Sequence, residues 1–578
     1  MRALKWALPY ALEFKWRYVL GQIISLINIG IMLINPFIAG MIVVNVIEGG
    51  QSERLPMYLG IMIAATIYRS VTRYGMVLLY ESTAMDVLFN LRRDVYHKLH
   101  SQNFHWFDKN RVGDIMSRMT GDMEAIRHFV AWSFYTMIEN FILYVAAVVV
   151  MATISIPLTI ALIATTPVLV YAAAKQSKDL KPAFHQVREQ FSTLNSTTGE
   201  NIGGNRVVKA FTKEEYEIEK FGQVNQAFFD SNMGAAKVRV KYFPIMETCA
   251  ALLPWILLLF GGLLVIWGQI ELWQMITLSG YLWMLNNPTR MINMGVSDLQ
   301  NAATSLEKIF DMMRQEIEIT SPESPKPITR EKNLISFKDV SFKYNKYESG
   351  SYTLKDITFE AKEGQTIGIV GGTGSGKTTL MYLLGRFYDA TKGDIFVNNI
   401  NVKDCKLIEL RNGIAYAMQD VFLYSDSVYE NIAFGVQDAD NADIINASKI
   451  ADADSFINEM EEGYDTIVGE RGVGLSGGQK QRISLARAVA TNPSVLILDD
   501  VTSAVDTETE FRIQSALKNF GDGKRITFIV AHRLSSVKHA DQILVLTNGE
   551  ITERGTHEEL MTLGGYYCTL YNEQKGGA

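Results

Sequence analysis

The chain has 578 residues, with 55 basic and 62 acidic side chains and a formal net charge of −7. That length exceeds one ordinary domain, so two or more are expected, and the acidic balance argues against a nucleic-acid protein whose affinity rests on phosphate contacts. The 48% hydrophobic content conceals a division: long apolar runs fill the first half, and the second reads as a soluble α/β domain.

Six apolar segments of about 20 residues, each long enough to cross a bilayer, fall at roughly 18–47, 55–79, 132–154, 158–174, 244–267 and 272–294. The start of the chain lacks a short apolar region followed by a cleavage site, so no removable signal peptide is expected. The links EGGQSERLP, SIP and GQIE between consecutive spans hold one Arg and no Lys. Residues 91–127 instead carry Arg92, Arg93, Lys98, Lys109, Arg111, Arg118 and Arg127, and 175–241 is similarly basic. The positive-inside bias puts both long connections and both termini in the cytoplasm. Apolar residues at three- and four-residue spacing in FSTLNSTTGENIGGNRVVKAFTKEEYEIEKF predict helical arms reaching out of the membrane.

Arg73, Glu139, Glu247 and Arg290 all lie about 24–30 Å in from the outer ends of their spans at about 1.5 Å per residue. Unpaired charges at such depth are costly, so a mutually paired layer is expected ahead of direct cargo contact. Arg69, about 21 Å in by the same count and so nearer the middle of the core, is the better candidate for touching an anionic or amphipathic cargo. Cys249, Cys405 and Cys568 stand far apart in no metal-like pattern, so reduced thiols are expected.

SPESPKPITREKN, residues 321–333, is polar with three prolines and reads as a linker. It divides a transmembrane domain, 1–320, from an α/β domain, 334–578, of short β-rich runs and helices. There TIGIVGGTGSGKTTLMYLL fits strand, Gly-rich loop, helix, and Gly371, Gly376, Lys377 and Thr378 satisfy G-x-x-x-x-G-K-[ST]. Glycines let backbone N–H groups face phosphate, Lys377 neutralises β/γ charge, and Thr378 can ligate Mg²⁺. Asp499 closes the strand-like run VLILD and suits Mg²⁺ coordination. His532 follows another apolar strand, where it can hold a γ-phosphate or a water.

LSGGQ at 475–479, with these motifs, resembles the ATP-binding cassette (ABC) transporters, specifically exporter-type half-transporters with the membrane domain ahead of the cassette. FHWFDKNRVGDIMSRMTGDMEAI resembles the family's first intracellular loop, and ENIGGNRVVKAFTKEEYEIEKF its second. The resemblance implies a multidomain fold, an all-α six-helix membrane domain followed by a P-loop ATPase, with ATP and Mg²⁺ as cofactors. It implies that Tyr344 stacks on adenine and that Gly371, Gly372, Thr373, Gly374, Ser375, Gly376, Lys377, Thr378 and Thr379 wrap the phosphates. Gln419 is then the residue that senses Mg²⁺ and the attacking water, with Thr378 and Asp499 completing the metal site. Ser476, Gly477, Gly478 and Gln479 bind the ATP of the opposite subunit, and Glu470 contacts an intracellular helix across the dimer. Ser503 to Asp506 match the loop that crosses the dimer interface, and His532 is the switch histidine.

Asp500 occupies the position of the family's catalytic Glu, one methylene shorter. A displacement of about 1 Å can cost about 10²-fold in rate, so a degenerate site is preferred over a working Asp base. The pattern resembles one subunit of a bacterial heterodimeric multidrug-type exporter in the cell membrane, whose partner chain carries the catalytic Glu and an altered signature motif. The expected cargo is hydrophobic or amphipathic. A lipid, peptide or siderophore transporter of the same fold, or a regulatory ATP-binding subunit with little turnover, are the alternatives. The six spans exclude a soluble DNA-repair ATPase.

Overall fold

The computed structural model describes residues 2–328, 334–344, 351–469, 472–502, 505–520 and 523–576. Glu470, Ser503 and the end of the predicted linker, 329–333, lie outside the described residues. The chain divides into two compact units: Met1–His100 with Val112–Gln315, and Ser101–Arg111 with Glu316–Ala578.

The first unit is helical. Its long elements are α1 (Lys15–Ile42), α2 (Leu55–His100), α3 (Phe134–Ile154), α4 (Thr166–Gly203), α5 (Glu214–Ile256) and α6 (Trp283–Arg314). Among the described residues four helical stretches, Lys15–Glu48, Val112–Ile154, Ile156–Gly203 and Glu214–Ile266, are long and apolar enough to cross a membrane. The other two expected spans fall on α2 and on Leu272–Tyr281 with the start of α6. Polar side chains dilute both: Thr66, Arg69, Ser70, Thr72 and Arg73 in one, Asn286, Asn287 and Arg290 in the other.

At about 1.5 Å per residue, α2 is about 69 Å long, over twice a hydrocarbon core of about 30 Å. Helices α4 and α5 likewise outrun their apolar segments, and these polar extensions are the predicted arms. The second arm is interrupted between α4 and α5 by the short helix Asn205–Ala210 and by Thr212, whose φ of 51° ends the helical path.

Small residues set the closest approach inside this unit. A β-carbon on Gly280 would stand 2.6 Å from Pro36, and one on Gly40 would collide with Thr277; neither pair of backbones could come so close with larger side chains. The Tyr281 hydroxyl donates to the Leu33 carbonyl at 2.6 Å, linking the same elements. Of the expected charge layer, Arg73 pairs with Glu139 at 3.3 Å. Arg290 and Glu247 are exposed, and Arg69 is half-buried.

The second unit holds two sheets. The four-stranded sheet has the order β2-β1-β4-β5, from β1 (Leu334–Phe342), β2 (Leu354–Lys362), β4 (Lys392–Val397) and β5 (Ile400–Asn401). The six-stranded sheet has the order β10-β9-β3-β8-β7-β6. It comprises β3 (Thr366–Gly371), β6 (Ile414–Ala417), β7 (Val495–Asp499), β8 (Ile526–Val530), β9 (Gln542–Thr547) and β10 (Glu550–Gly555). Strands β9, β3, β8, β7 and β6 run parallel, and β10 closes one edge antiparallel. Every residue of β7 is buried, as a near-continuous apolar run in a parallel sheet requires. One core lies between the two sheets and the helix after β3, with Phe337, Phe359, Ile369, Leu380, Leu384 and Phe528.

Ser101–Arg111 packs with this second unit. Its short helix Phe104–Lys109 starts at Asn103, whose side chain accepts from the Trp106 N–H at 3.0 Å. Phe104 stacks on Phe387 with centroids 4.4 Å apart.

Candidate functional site

Four neighbouring parallel strands deliver the site. β3 leads into the Gly-rich loop, β8 ends two residues before His532, β7 ends at Asp499, and β6 ends two residues before Gln419. The order β3-β8-β7-β6 makes these loops neighbours along one edge, the carboxyl edge at which open parallel sheets bind ligands.

Gly371 turns the chain at φ 155°, where a β-carbon would collide with the Leu546 carbonyl. Gly376, at φ 100°, is the left-handed residue before α7 (Lys377–Leu384). Both conformations exclude ordinary side chains. They curl the loop so that the buried Lys377 turns back over it, donating from Nζ to the carbonyls of Gly371 at 2.9 Å and Gly372 at 3.0 Å. Burial draws the Lys377 pKa down, and Asp499 and Asp500 oppose that shift. Gly372, Thr373 and Gly374 are exposed at the loop's crest. The Ser375 hydroxyl is buried and has no hydrogen-bond partner among the described residues.

Asp499 is buried, which raises its carboxyl pKa above the usual range; a hydrogen bond with Thr378 opposes this, as do Lys377 and His532. Two of the three residues expected to hold Mg²⁺, Thr378 and Asp499, are therefore in contact. Among the described residues no cluster of three or more His, Cys, Asp or Glu could hold a metal. One carboxylate and one hydroxyl, with the substrate's phosphates, are the donor set Mg²⁺ accepts, so these residues fit that ion. Gln419 is exposed beyond β6.

Asp500 takes a left-handed backbone, φ 52°. Its N–H donates to the Val530 carbonyl at 2.9 Å, and its own carbonyl accepts from Gln481 Nε2 at 3.4 Å. The β7–β8 ladder thus runs one residue past the sheet and fixes Asp500 against the strand leading to His532.

Tyr344 follows β1 and is 39% exposed. Its hydroxyl shares a hydrogen with Thr379 Oγ1 at 2.8 Å, and its ring meets Phe342 and Tyr388 edge-on at 4.9 and 5.2 Å. An open aromatic face tethered to the helix of the Gly-rich loop is suited to a flat base.

The signature motif stands apart. Ser476 caps α8 (Gly477–Ala490) in a reciprocal box with Gln479, at 2.8 and 3.3 Å. Ser476 and Gly477 are exposed, and Gly478 and Gln479 half-buried. The helix packs into a second cluster with Ile432, Ile444, Ile483 and Leu498, whereas α7 packs into the first.

Sequence reasoning missed three contacts. Gln481, two residues past the signature motif, holds the Asp500 carbonyl. Gln574, in α10 (Tyr566–Gly576), donates to the His532 carbonyl at 2.9 Å and accepts from the Leu534 N–H at 3.0 Å. Tyr388 donates to Asp108. No local pattern marks the glutamines, but the aromatic run in GRFYD signals the third.

Residues 18–289 match the family described as ABC transporter transmembrane region, and residues 354–503 the family described as ABC transporter. An uncharacterized ABC transporter ATP-binding protein of Bacillus subtilis, YknU, is 37% identical over 98% of this chain and 96% of its own. The chain belongs to the ABC transporter family. YgaD of Bacillus subtilis, named as a multidrug export ATP-binding/permease protein, is 31% identical over 99% of this chain and all of its own. A bacterial Atm1-family ABC exporter solved with ATP bound shares the fold, with a TM-score of 0.83 and 24% identity over 97% of this chain and 99% of that one. This ABC transporter carries its transmembrane region and cassette in one chain, spans a membrane with the cassette cytoplasmic, and couples ATP hydrolysis to transport.

Proposed function

We propose that the chain is one subunit of a dimeric exporter of hydrophobic or amphipathic compounds, working by alternating access with a different chain as partner. Export of such compounds rests on the relatives' names, including a Staphylococcus aureus protein named for multidrug export at 32% identity over 98% of this chain. The organisation proposed is a six-span membrane domain at 1–320, a linker at 321–333 and a cassette at 334–578. The observation that carries the ATP chemistry is the delivery of the Gly-rich loop, His532, Asp499 with Asp500, and Gln419 by adjacent parallel strands.

In this reading Tyr344 stacks on adenine, Gly371–Thr379 wraps the phosphates, and Lys377 exchanges its two carbonyl partners for phosphate oxygens. Mg²⁺, held through Thr378 and Asp499 with Gln419 beside them, supplies charge neutralisation on the transferred phosphoryl group when bound. His532 steadies the γ-phosphate. The exposed Ser476, with Gly477, Gly478 and Gln479, closes over the ATP of the opposite subunit. Glu470 and Ser503 join the dimer interface. The intact signature motif completes the partner's active site, while this chain's own site, with Asp500 in place of Glu, binds more than it hydrolyses.

One observation favours a second reading. At φ 52° Asp is tolerated better than Glu, so Asp500 can be a working base chosen for its backbone. Expressing the chain with and without its neighbouring half-transporter separates the two. The degenerate-site reading expects turnover only from the pair; robust ATPase activity of this chain alone, lost in Asp500→Asn, would falsify it.

A further inference from the structure

Glu510 lies in the first turn of α9 (Thr507–Asn519), where an acid ordinarily faces solvent and complements the helix dipole. Here it is only 4% exposed. Its Oε1 accepts from Thr502 Oγ1 at 2.8 Å, from Gln514 Nε2 at 3.4 Å, and from Ser536 Oγ. Gln514 Nε2 also donates to the Ser536 carbonyl at 3.1 Å. Thr502 is two residues past Asp500, in the segment leading to the predicted interface loop, and Ser536 is four residues past His532. Beside this junction Arg533 Nη1 donates to the Val505 carbonyl at 3.3 Å.

The β7–β8 ladder pairs Asp499 with Val530 and ends with the Asp500 N–H. Past that point no sheet holds the two chain segments together among the described residues. A buried carboxylate costs free energy unless it is hydrogen-bonded, and this one takes its donors from both segments and from its own helix. We infer that Glu510 is a positioning residue that locks the His532 loop to the interface loop, so that occupancy of this chain's ATP site is transmitted towards the opposite one. A helix-dipole role alone requires none of these partners.

The inference rests on the proposed roles of His532 and of the paired cassettes. Its test is steady-state ATP hydrolysis by the assembled full-length transporter in lipid nanodiscs, with nucleotide affinity measured by displacement of a fluorescent ATP analogue. Glu510→Ala is expected to lower kcat about 5-fold or more with KM and nucleotide affinity within about 2-fold. Glu510→Gln, which keeps an acceptor oxygen, retains kcat within about 3-fold. Because the two loops act as one unit, adding Glu510→Ala to His532→Ala produces no further loss beyond about 2-fold. Thr502→Ala and Ser536→Ala leave the carboxylate in place and lower kcat in the same direction, so they decide the matter if Glu510→Ala does not fold. Unchanged kcat in these variants, or losses that multiply with His532→Ala, overturns the inference alone. A silent His532→Ala overturns the reading beneath it and the inference together.

Discussion

Tyr388 donates its phenolic hydrogen to Asp108 Oδ2 at 2.6 Å across a sequence separation of 280 residues. Asp108 belongs to the short helix Phe104–Lys109, which is covalently continuous with α2 through His100. The ring of Tyr388 also abuts Tyr344, whose hydroxyl bonds Thr379 beside the Gly-rich loop. Two contacts in series therefore connect the predicted adenine platform to the segment leading back to the membrane helices, and a third ties that platform to the Gly-rich loop. Burial, with the Asp108 carboxylate as acceptor, holds the Tyr388 pKa far above the ordinary tyrosine value, so this hydroxyl stays protonated throughout the working pH range.

Tyr388→Phe keeps the ring contacts and deletes that donor, a loss of about 1 kcal/mol for an acceptor that faces water. ATP affinity should stay within about 2-fold because Tyr344 and the loop are untouched, while transport per ATP hydrolysed falls. Parallel assays of ATPase rate and cargo uptake in inside-out vesicles check this. Equal loss of both rates would show that the bond serves only the stability of the cassette.

Ser375 offers a prediction with opposite signs for the two states. Its buried hydroxyl has no hydrogen-bond partner among the described residues, and an unsatisfied buried hydroxyl costs about 1–3 kcal/mol. Ser375→Ala should leave the nucleotide-free protein as stable or more stable, while weakening ATP binding about 5- to 10-fold through loss of a phosphate contact. Thermal unfolding with and without ATP reads both terms. A variant destabilised without nucleotide, or binding ATP unchanged, removes Ser375 from the phosphate site.

Much of this architecture was legible in the sequence because its signals are local. The Gly-rich loop shows itself in spacing, the apolar spans in length, and the signature motif in LSGGQ at 475–479. Contacts set by tertiary packing left no such trace. Nothing in FHWFDK marks Phe104 as the partner of Phe387, and nothing around Gln574 points to the His532 carbonyl. The expected layer of paired charges is present as one pair, Arg73 with Glu139; depth along a helix can be counted from sequence, but which face a charge occupies depends on the neighbouring helices. At Asp500 the residue type was legible and its left-handed backbone was not.

Asp499 supplies a pH dependence with a definite sign. Burial raises its pKa in the folded protein, so the folded state binds that proton more tightly than the unfolded chain, where the value is about 3.9. Its contribution is least unfavourable below that value and becomes more destabilising as pH rises through the folded pKa. Asp499→Asn removes the charge, so its melting temperature should exceed the parent's at pH 7.5, with the gap closing towards pH 4, measured without nucleotide or Mg²⁺. Mg²⁺-dependent hydrolysis should be lost in the same variant. A gap that does not change with pH would mean that Asp499 is not held by burial.

Asp500→Glu tests backbone and chemistry together. The Asp500 backbone is held in its left-handed conformation by the Val530 carbonyl on one side and Gln481 on the other, so it cannot relax to suit a longer side chain. Glu there should cost about 1 kcal/mol of stability, seen as a melting temperature lower by a few degrees. The added methylene advances the carboxylate by about one C–C bond, a distance worth about 10²-fold in a well-aligned site. If the native site is degenerate, single-turnover hydrolysis at this chain's own site should rise about 10-fold or more despite the lower stability. The partner chain's corresponding base is disabled in that assay, so that only this site reports. Turnover that stays flat or falls would mean that the native Asp500 already places its carboxylate correctly, and the proposed division of labour between the two ATP sites would fail.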